Sequence, residues 1–402
     1  MLGFGVPLAS DPRVGPPLTR GADTACGALL SLALLAVNVA SVASELGFLH
    51  KAKQVKEYDH WRYIEMARGP EGKPELTREP PYCFRLAVPA LARGLMRLGL
   101  SENAAFFLVT NAALFGFLLC LWLHLRDLGF SLALRVTGLL VTGFTQGALR
   151  WFEYQYWMSD PVALALVMLA FLLIERGKSP ALFGVSVAAA FVRETYVLVY
   201  PYVFLRELRL GQRFGAALAR AAALAVVPLT ILVAIRRLVT PKHPDDFVTG
   251  IVDSMGFRIA HLLDNQLYVV TIGAFGVLVP LLLLFPKHLA GLARRHFDRV
   301  LYVASVYATL VISNNNERPL AYALPALVPA ALFCLRRFLD ETRLPLVPAC
   351  AAVVLLQVLF WTGQRFAEIG MSIYQPVNWT TVAAMSGAWL AAEAALWRRV
   401  RR

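Results

Sequence analysis

The sequence predicts an all-α polytopic membrane protein with no separate soluble domain. Three observations carry this expectation. Hydrophobic residues make up 58% of the 402-residue chain and charged residues only 16%, against about 25% charged in an average soluble domain; mean hydropathy is +0.59. Apolar runs long enough to cross a bilayer recur along the whole length. Lys and Arg crowd the connections between alternate runs, as they do in cytoplasmic loops. The chain is too apolar for disorder. Its formal charge of +13 is assigned to the loop bias and not to nucleic acid. The five cysteines, Cys26, Cys83, Cys120, Cys334 and Cys350, show neither a disulfide framework nor metal-ligand spacing.

Residues 1–26 are rich in Gly and Pro and lack the compact apolar core of a secretory signal, so they are expected to form a cytoplasmic tail. Residues 27–402 then form a single transmembrane domain. The first run, 27–49, exceeds the roughly 20 residues a membrane helix needs. An outer loop at 50–102 follows, and further runs lie at 103–125, 131–150, 158–174, 180–206, 214–238, 267–286, 299–313, 318–335, 344–362 and 379–397. The basic clusters after 174, 206, 286, 335 and 397 fall on one side only if 180–206 crosses twice. It is therefore expected to be a hairpin of two short helices turning near Arg193, which gives about 12 membrane helices with both termini cytoplasmic. Arg236 and Arg237 depart from the rule, as does the Lys- and Arg-rich loop after the first run. A basic loop on the outer side needs a reason, and binding an anion is one.

That loop reads EYDHWRYIEMAR and then EPPYCFR. In a helix, Asp59, Arg62, Tyr63 and Met66 share one face, expected to lie on the bilayer surface. Arg62 beside Asp59 favours the ionised carboxylate. Such a group either caps a short helix or serves as general base toward a hydroxyl. The double proline Pro80–Pro81 fixes an extended entry to Tyr82, Arg85 and an interfacial helix at 86–98. Ionisable groups at the outer ends of spans are costly and mark functional sites. They fall into groups: Arg150, Glu153, Tyr154 and Asp160; Arg193, Glu194 and Thr195; Asn314, Asn315, Asn316, Glu317 and Arg318; and His243, Asp245, Asp246 and Asp253, the last read as a solvated turn. For the others the competing reading is local ion pairing, such as Glu317 with Arg318 or Arg193. A helix of eleven or twelve residues spans only about 17–18 Å, against a hydrocarbon core of about 30 Å. The tip at Arg193 must therefore end in a recess within the protein.

Tyr58, Asp59, Arg62, Tyr63, Ile64, Met66 and Ala67, followed by Pro81, Tyr82, Arg85 and Pro89, resemble the outer-loop pattern of the GT-C superfamily, the polytopic glycosyltransferases that use polyprenyl-phosphate-linked sugars. Arg193–Glu194–Thr195 and Glu317–Arg318 ahead of Pro325 extend the resemblance loosely over 27–335. The resemblance implies a GT-C-like fold and an inverting sugar transfer on the outer face of the cytoplasmic membrane. It makes Asp59 the base and Arg85, Arg193 and Arg318 the residues that receive the donor phosphate. By position, His60, Arg62, Tyr63, Tyr82, Glu153, Tyr154, Asp160, Glu194, Asn316 and Glu317 are candidates for contact with substrate. The expected partners are a polyprenyl-phosphate-linked sugar, a glycan, lipid or protein acceptor, and membrane lipids. The doubled acidic motif of many members is replaced by Tyr58–Asp59–His60, so no cofactor is certain; a divalent cation is left open and no metal ligands are assigned. A transporter or lipid-linked-sugar flippase is the alternative class, disfavoured because no repeat relates the two halves. A non-enzymatic envelope scaffold would not require these charges to converge.

Overall fold

The computed structural model describes residues 19–55, 59–145, 149–240, 255, 259, 267–283, 286–311, 317–362 and 387. Tyr58, Asn314–Asn316, the group at His243–Asp253 and the run at 379–397 lie outside the described residues, as does the side chain of Glu317. Among the described residues the regular structure is helical. Helices α1 (Arg20–Leu46), α5 (Glu102–Asp127) and α11 (Phe214–Leu238), and the stretch Arg318–Thr342, are each long and apolar enough to cross a membrane. At 1.5 Å per residue, the 27 residues of α1 reach about 40 Å. The helix begins at Arg20 and not near 27, because Asp23 in its first turn suits the positive end of the helix dipole.

The chain divides into two compact units. One comprises Met1–Gly27, Trp122–Ala148 and His261–Arg402. Here α6 (Leu132–Gly143) packs against α17 (Leu324–Thr342) and α18 (Leu346–Thr362). Arg135 of α6 pairs with the buried Asp23 and lies 4.7 Å from the Trp122 ring centre, while the Trp122 indole donates to the Asp23 carbonyl at 3.1 Å. Gln357 of α18 accepts from the Val277 amide at 2.9 Å and donates to the Phe144 carbonyl at 2.7 Å. Gly276 (φ +54°) packs so tightly on this side chain that a Cβ would stand 2.3 Å from its Oε1.

The other unit comprises Ala28–Leu121 and Leu149–Ala260 and contains most of the expected site residues. Its elements are α2 (Asp59–Arg68), α3 (Pro74–Thr77), α4 (Ala87–Arg97), α7 (Trp151–Tyr154), α8 (Asp160–Glu175), α9 (Ser179–Ala190), α10 (Val199–Arg209), and parts of α1, α5 and α11. The chain reverses where the charge pattern required it. Arg193 is extended (φ −165°, ψ 140°) between the 12-residue α9 and a 3-10 turn at Glu194–Leu198 that leads into the 11-residue α10. Ion pairs fix the direction of travel. At the basic end, Arg206 of α10 meets Glu175 of α8 at 3.4 Å, and Arg220 of α11 meets Glu207 at 3.0 Å and Ser179 at 3.1 Å. At the opposite end, Arg193 pairs with Asp160, the first residue of α8. Arg236 lies over the Phe84 ring at 5.7 Å. The C-terminal end of α11 therefore stands on the same side as the loop after α1, which accounts for one exception to the loop-charge rule.

Candidate active site

Helix α2 buries His60, Tyr63, Ile64 and Ala67, the i, i+3, i+4, i+7 stripe of one helical face. Tyr63 thus belongs to the buried face and not, as expected from spacing, to the surface face. Asp59, Arg62 and Met66 form the half-exposed margin. Asp59 opens the helix, where the dipole favours a carboxylate, with its Oδ1 3.4 Å from Arg62 Nη1. The other amino group of Arg62 donates to Glu79, in a close contact. The guanidinium lies 4.6 Å from the centre of the Tyr82 ring, and Arg85 lies 5.5 Å from the same ring. Tyr82 is therefore an aromatic spacer between two cations, each gaining from the ring quadrupole.

Arg85 is buried, and each of its guanidinium nitrogens donates within the protein. Nε donates to Glu194 at 3.1 Å, Nη2 donates to the other oxygen of the same carboxylate, and Nη1 donates to the Tyr63 hydroxyl at 3.0 Å. Tyr63 in turn meets the Ser159 hydroxyl at 3.1 Å. The Ala87 amide at the head of α4 donates to the Phe191 carbonyl at the end of α9 at 2.9 Å, which brings the loop holding Arg85 alongside the tip holding Glu194. Burial opposes ionisation of Glu194, but the charge and hydrogen bonds of Arg85 outweigh it and hold the carboxyl at about 2. Arg193 pairs with the fully buried Asp160 and donates from Nε to Thr195 at 3.2 Å. Among the described residues its Nη2 has no hydrogen-bond partner. Among the described residues Arg193 thus goes to Asp160, and Glu194 goes to Arg85.

The remaining expected residues are spread more widely. His60 is fully buried between Trp61 and Trp157, and burial lowers it to about 4, so it is neutral near pH 7. Glu153 is buried; burial raises its carboxyl to about 8, against the Asn111 side chain, which donates to it at 3.3 Å. The Tyr154 carbonyl bonds the His50 ring at 2.9 Å. Arg318 is buried in the other unit. Asn316 and the Glu317 side chain fall outside the described residues. Among the described residues no three His, Cys, Asp or Glu side chains gather as a metal-ligand set. Two contributors escaped the sequence reading. Glu79 stood in the quoted EPPYCFR motif as an acidic residue in a basic loop, which was the available signal. Ser159, preceding Asp160–Pro161, has the composition of a helix start.

The chain matches no protein-family model, and no curated protein sequence matches it. Among solved structures it is similar to ArnT from Cupriavidus metallidurans. The likeness to ArnT bound to undecaprenyl phosphate has a TM-score of 0.51 at 16% identity, covering 94% of this chain and 77% of that one. ArnT in the apo state gives a TM-score of 0.52 at 16% identity, covering 93% and 77%. At this identity the likeness bears on architecture alone. The chain is a multi-pass membrane protein with an ArnT-like fold.

Proposed function

We propose that the chain is an inverting membrane glycosyltransferase that moves a sugar from a polyprenyl-phosphate donor to an acceptor hydroxyl on the outer face of the cytoplasmic membrane. The observation that carries this reading is Asp59. It is a part-exposed carboxylate at the head of α2, beside Arg62, in the same unit and at the same helix ends as Arg85, Glu194, Asp160 and Arg193. The fold shared with ArnT, which was crystallised bound to undecaprenyl phosphate, supports a lipid phosphate as the leaving group.

In this mechanism Asp59 takes the proton of the acceptor hydroxyl as its oxygen attacks the anomeric carbon. The bond from that carbon to the phosphate oxygen breaks on the opposite face, and the polyprenyl phosphate leaves with the electron pair. Fixed guanidinium groups stabilise the charge that develops on the leaving oxygen. Arg193, with the whole Nη2 amino group uncommitted among the described residues, suits this better than Arg85, each of whose nitrogens already donates to Glu194 or Tyr63. Arg318 is assigned the same role from its place in the sequence motif. Asp160 and Glu194 hold the arginines, Tyr63 and Tyr82 space them, and the acceptor is a glycan, lipid or protein. The basic ends near Arg206, Arg220 and Glu175 face the cytoplasm in this reading, as do both termini.

The test is transfer from a panel of radiolabelled polyprenyl-phosphate pentoses and hexoses in proteoliposomes supplied with an envelope extract as acceptor. Asp59→Asn should lower turnover about 10²–10⁴-fold, the usual worth of a positioned base, with thermal stability intact. Turnover equal to the wild type would remove Asp59 as the base.

A further inference from the structure

The sequence reading gave no role to Glu79, yet this residue makes the closest contact to Arg62. The Arg62 fork is divided between two carboxylates. Nη2 donates to Glu79 Oε1, whereas Nη1 reaches Asp59 Oδ1 only at 3.4 Å, beyond the usual 2.7–3.2 Å of an N–H···O hydrogen bond. The stack on Tyr82 fixes the plane of the guanidinium, so the two ends of the fork cannot turn independently. A free guanidinium beside a carboxylate prefers two parallel hydrogen bonds. Closing in that way on Asp59 would cover the oxygen that must take a proton and would stabilise its charge, making it a weaker base.

We propose that Glu79 is a positioning residue: it draws the Arg62 guanidinium toward itself and so keeps Asp59 accessible and basic. The proposal rests on reading Asp59 as the base. Among the described residues the other ionisable groups nearby are engaged elsewhere. On α2, His60 is neutral near pH 7, and Arg68 is engaged by Glu65 at 2.7 Å and Glu102 at 2.9 Å. On the 3-10 turn Tyr82–Phe84 and its C-terminal neighbour, Tyr82 is the spacer and Arg85 is matched by Glu194. Glu75 lies on α3, Arg93 of α4 sits against Gly69 at the far end of α2, and Arg236 lies over Phe84. Arg62 bears directly on Asp59, and Glu79 sets how far its guanidinium leans toward that carboxylate.

The test uses full-length protein in proteoliposomes. In Glu79→Gln the acid limb of the transfer rate should move to lower pH by on the order of one unit, the size expected when a carboxylate gains a closer cation. The plateau rate should fall several-fold while KM for the polyprenyl-phosphate sugar holds. Glu79→Asp should restore most of both. A residue that only supports the fold would lower rate and stability without moving the limb, and that result overturns the proposal. A second measurement separates it from the base assignment. Infrared difference titration, with Asp59→Asn as the reference, follows the Asp59 carboxyl whether or not it is catalytic. If that band titrates at the same pH in Glu79→Gln as in the wild type, Glu79 does not control Asp59. If the band moves but Asp59→Asn still turns over, the positioning holds and the base reading fails.

Discussion

Glu194→Gln breaks the part-buried ion pair that joins the first outer loop to the hairpin tip. Holding a carboxyl at about 2 instead of its ordinary 4.5 corresponds to roughly 3 kcal/mol, at about 1.4 kcal/mol per pH unit. A third of the Glu194 side chain meets solvent (34% exposed), and screening reduces that figure to roughly 1–2 kcal/mol. The substitution also strands Arg85, whose side chain is only 6% exposed. An uncompensated buried charge costs about 3–5 kcal/mol, although here glutamine still accepts one hydrogen bond and Tyr63 keeps another. The net expectation is a loss of about 2–3 kcal/mol at pH 7, read as a lower unfolding midpoint in mild detergent followed by tryptophan fluorescence. The sign of the pH dependence is determined. The folded-state value lies below the unfolded one, so the contribution is complete above about 4.5 and is lost as pH falls toward 2. The gap between wild type and variant should therefore be constant from pH 6 to 8 and narrow below 4.5. Equal midpoints at pH 7, or a gap as wide at pH 3 as at pH 7, would refute the claim that this ion pair holds the loop at Arg85 to the tip at Glu194.

The donor-phosphate role of Arg193 calls for a variant that strands no carboxylate; Asp160→Asn with Arg193→Gln removes both charges, and polyprenyl phosphate affinity measured on the purified protein should fall at least about tenfold, the equivalent of 1.4 kcal/mol, with unchanged affinity ruling the tip out as the phosphate site. A single cysteine at Lys73, in a background lacking the five native thiols, should react with an impermeant maleimide added outside intact cells; labelling only after lysis would invert the topology. Gly276→Ala should destabilise by about 1–3 kcal/mol in the same melts, because its Cβ would strike Gln357 at a left-handed backbone position, and a wild-type melting curve would show that the Gln357 contact tolerates displacement.

What could be read from the sequence divides along a physical line. Helices and their direction depend on local quantities, hydropathy over about 20 residues and the sign of nearby charge, so the reversal at Arg193 was legible from the arginines at 206–220 that would otherwise lie outside. The face of α2 was only partly legible. Tyr63 stands on the border of two stripes, and its burial is decided by Arg85 and Ser159, which are 22 and 96 positions away along the chain. Pairings were the least legible. Arg193 has Glu194 as its sequence neighbour, yet consecutive residues at an extended position point apart, and α8 presents Asp160 to it instead. Arg85 and Glu194 meet across 109 positions, a choice made by the packing of α4 and α9 and not by any local preference.

The charge balance at this end of the unit bears on how a phosphate can bind there. Among the described residues, one set of ion pairs here joins three guanidinium groups, Arg62, Arg85 and Arg193, to four carboxylates, Asp59, Glu79, Glu194 and Asp160. An anion cannot be drawn to such a set by net charge alone; it must be met by directed N–H groups that the carboxylates have not already taken. Arg85 spends three of its five N–H groups on Glu194 and Tyr63, at least one from each nitrogen, and its side chain is only 6% exposed. Arg193 is held by Asp160 and Thr195 through Nη1 and Nε, which orients the guanidinium while leaving Nη2 uncommitted among the described residues. Its ion pair with Asp160 therefore prepares Arg193 for a phosphate oxygen without having to be broken, because the desolvation of a buried guanidinium is already offset by the carboxylate. In the proposed transfer the two arginines that look equivalent in the sequence divide the work: Arg85 is a strut joining the first outer loop to the hairpin tip, and Arg193 is the cation offered to the leaving lipid phosphate.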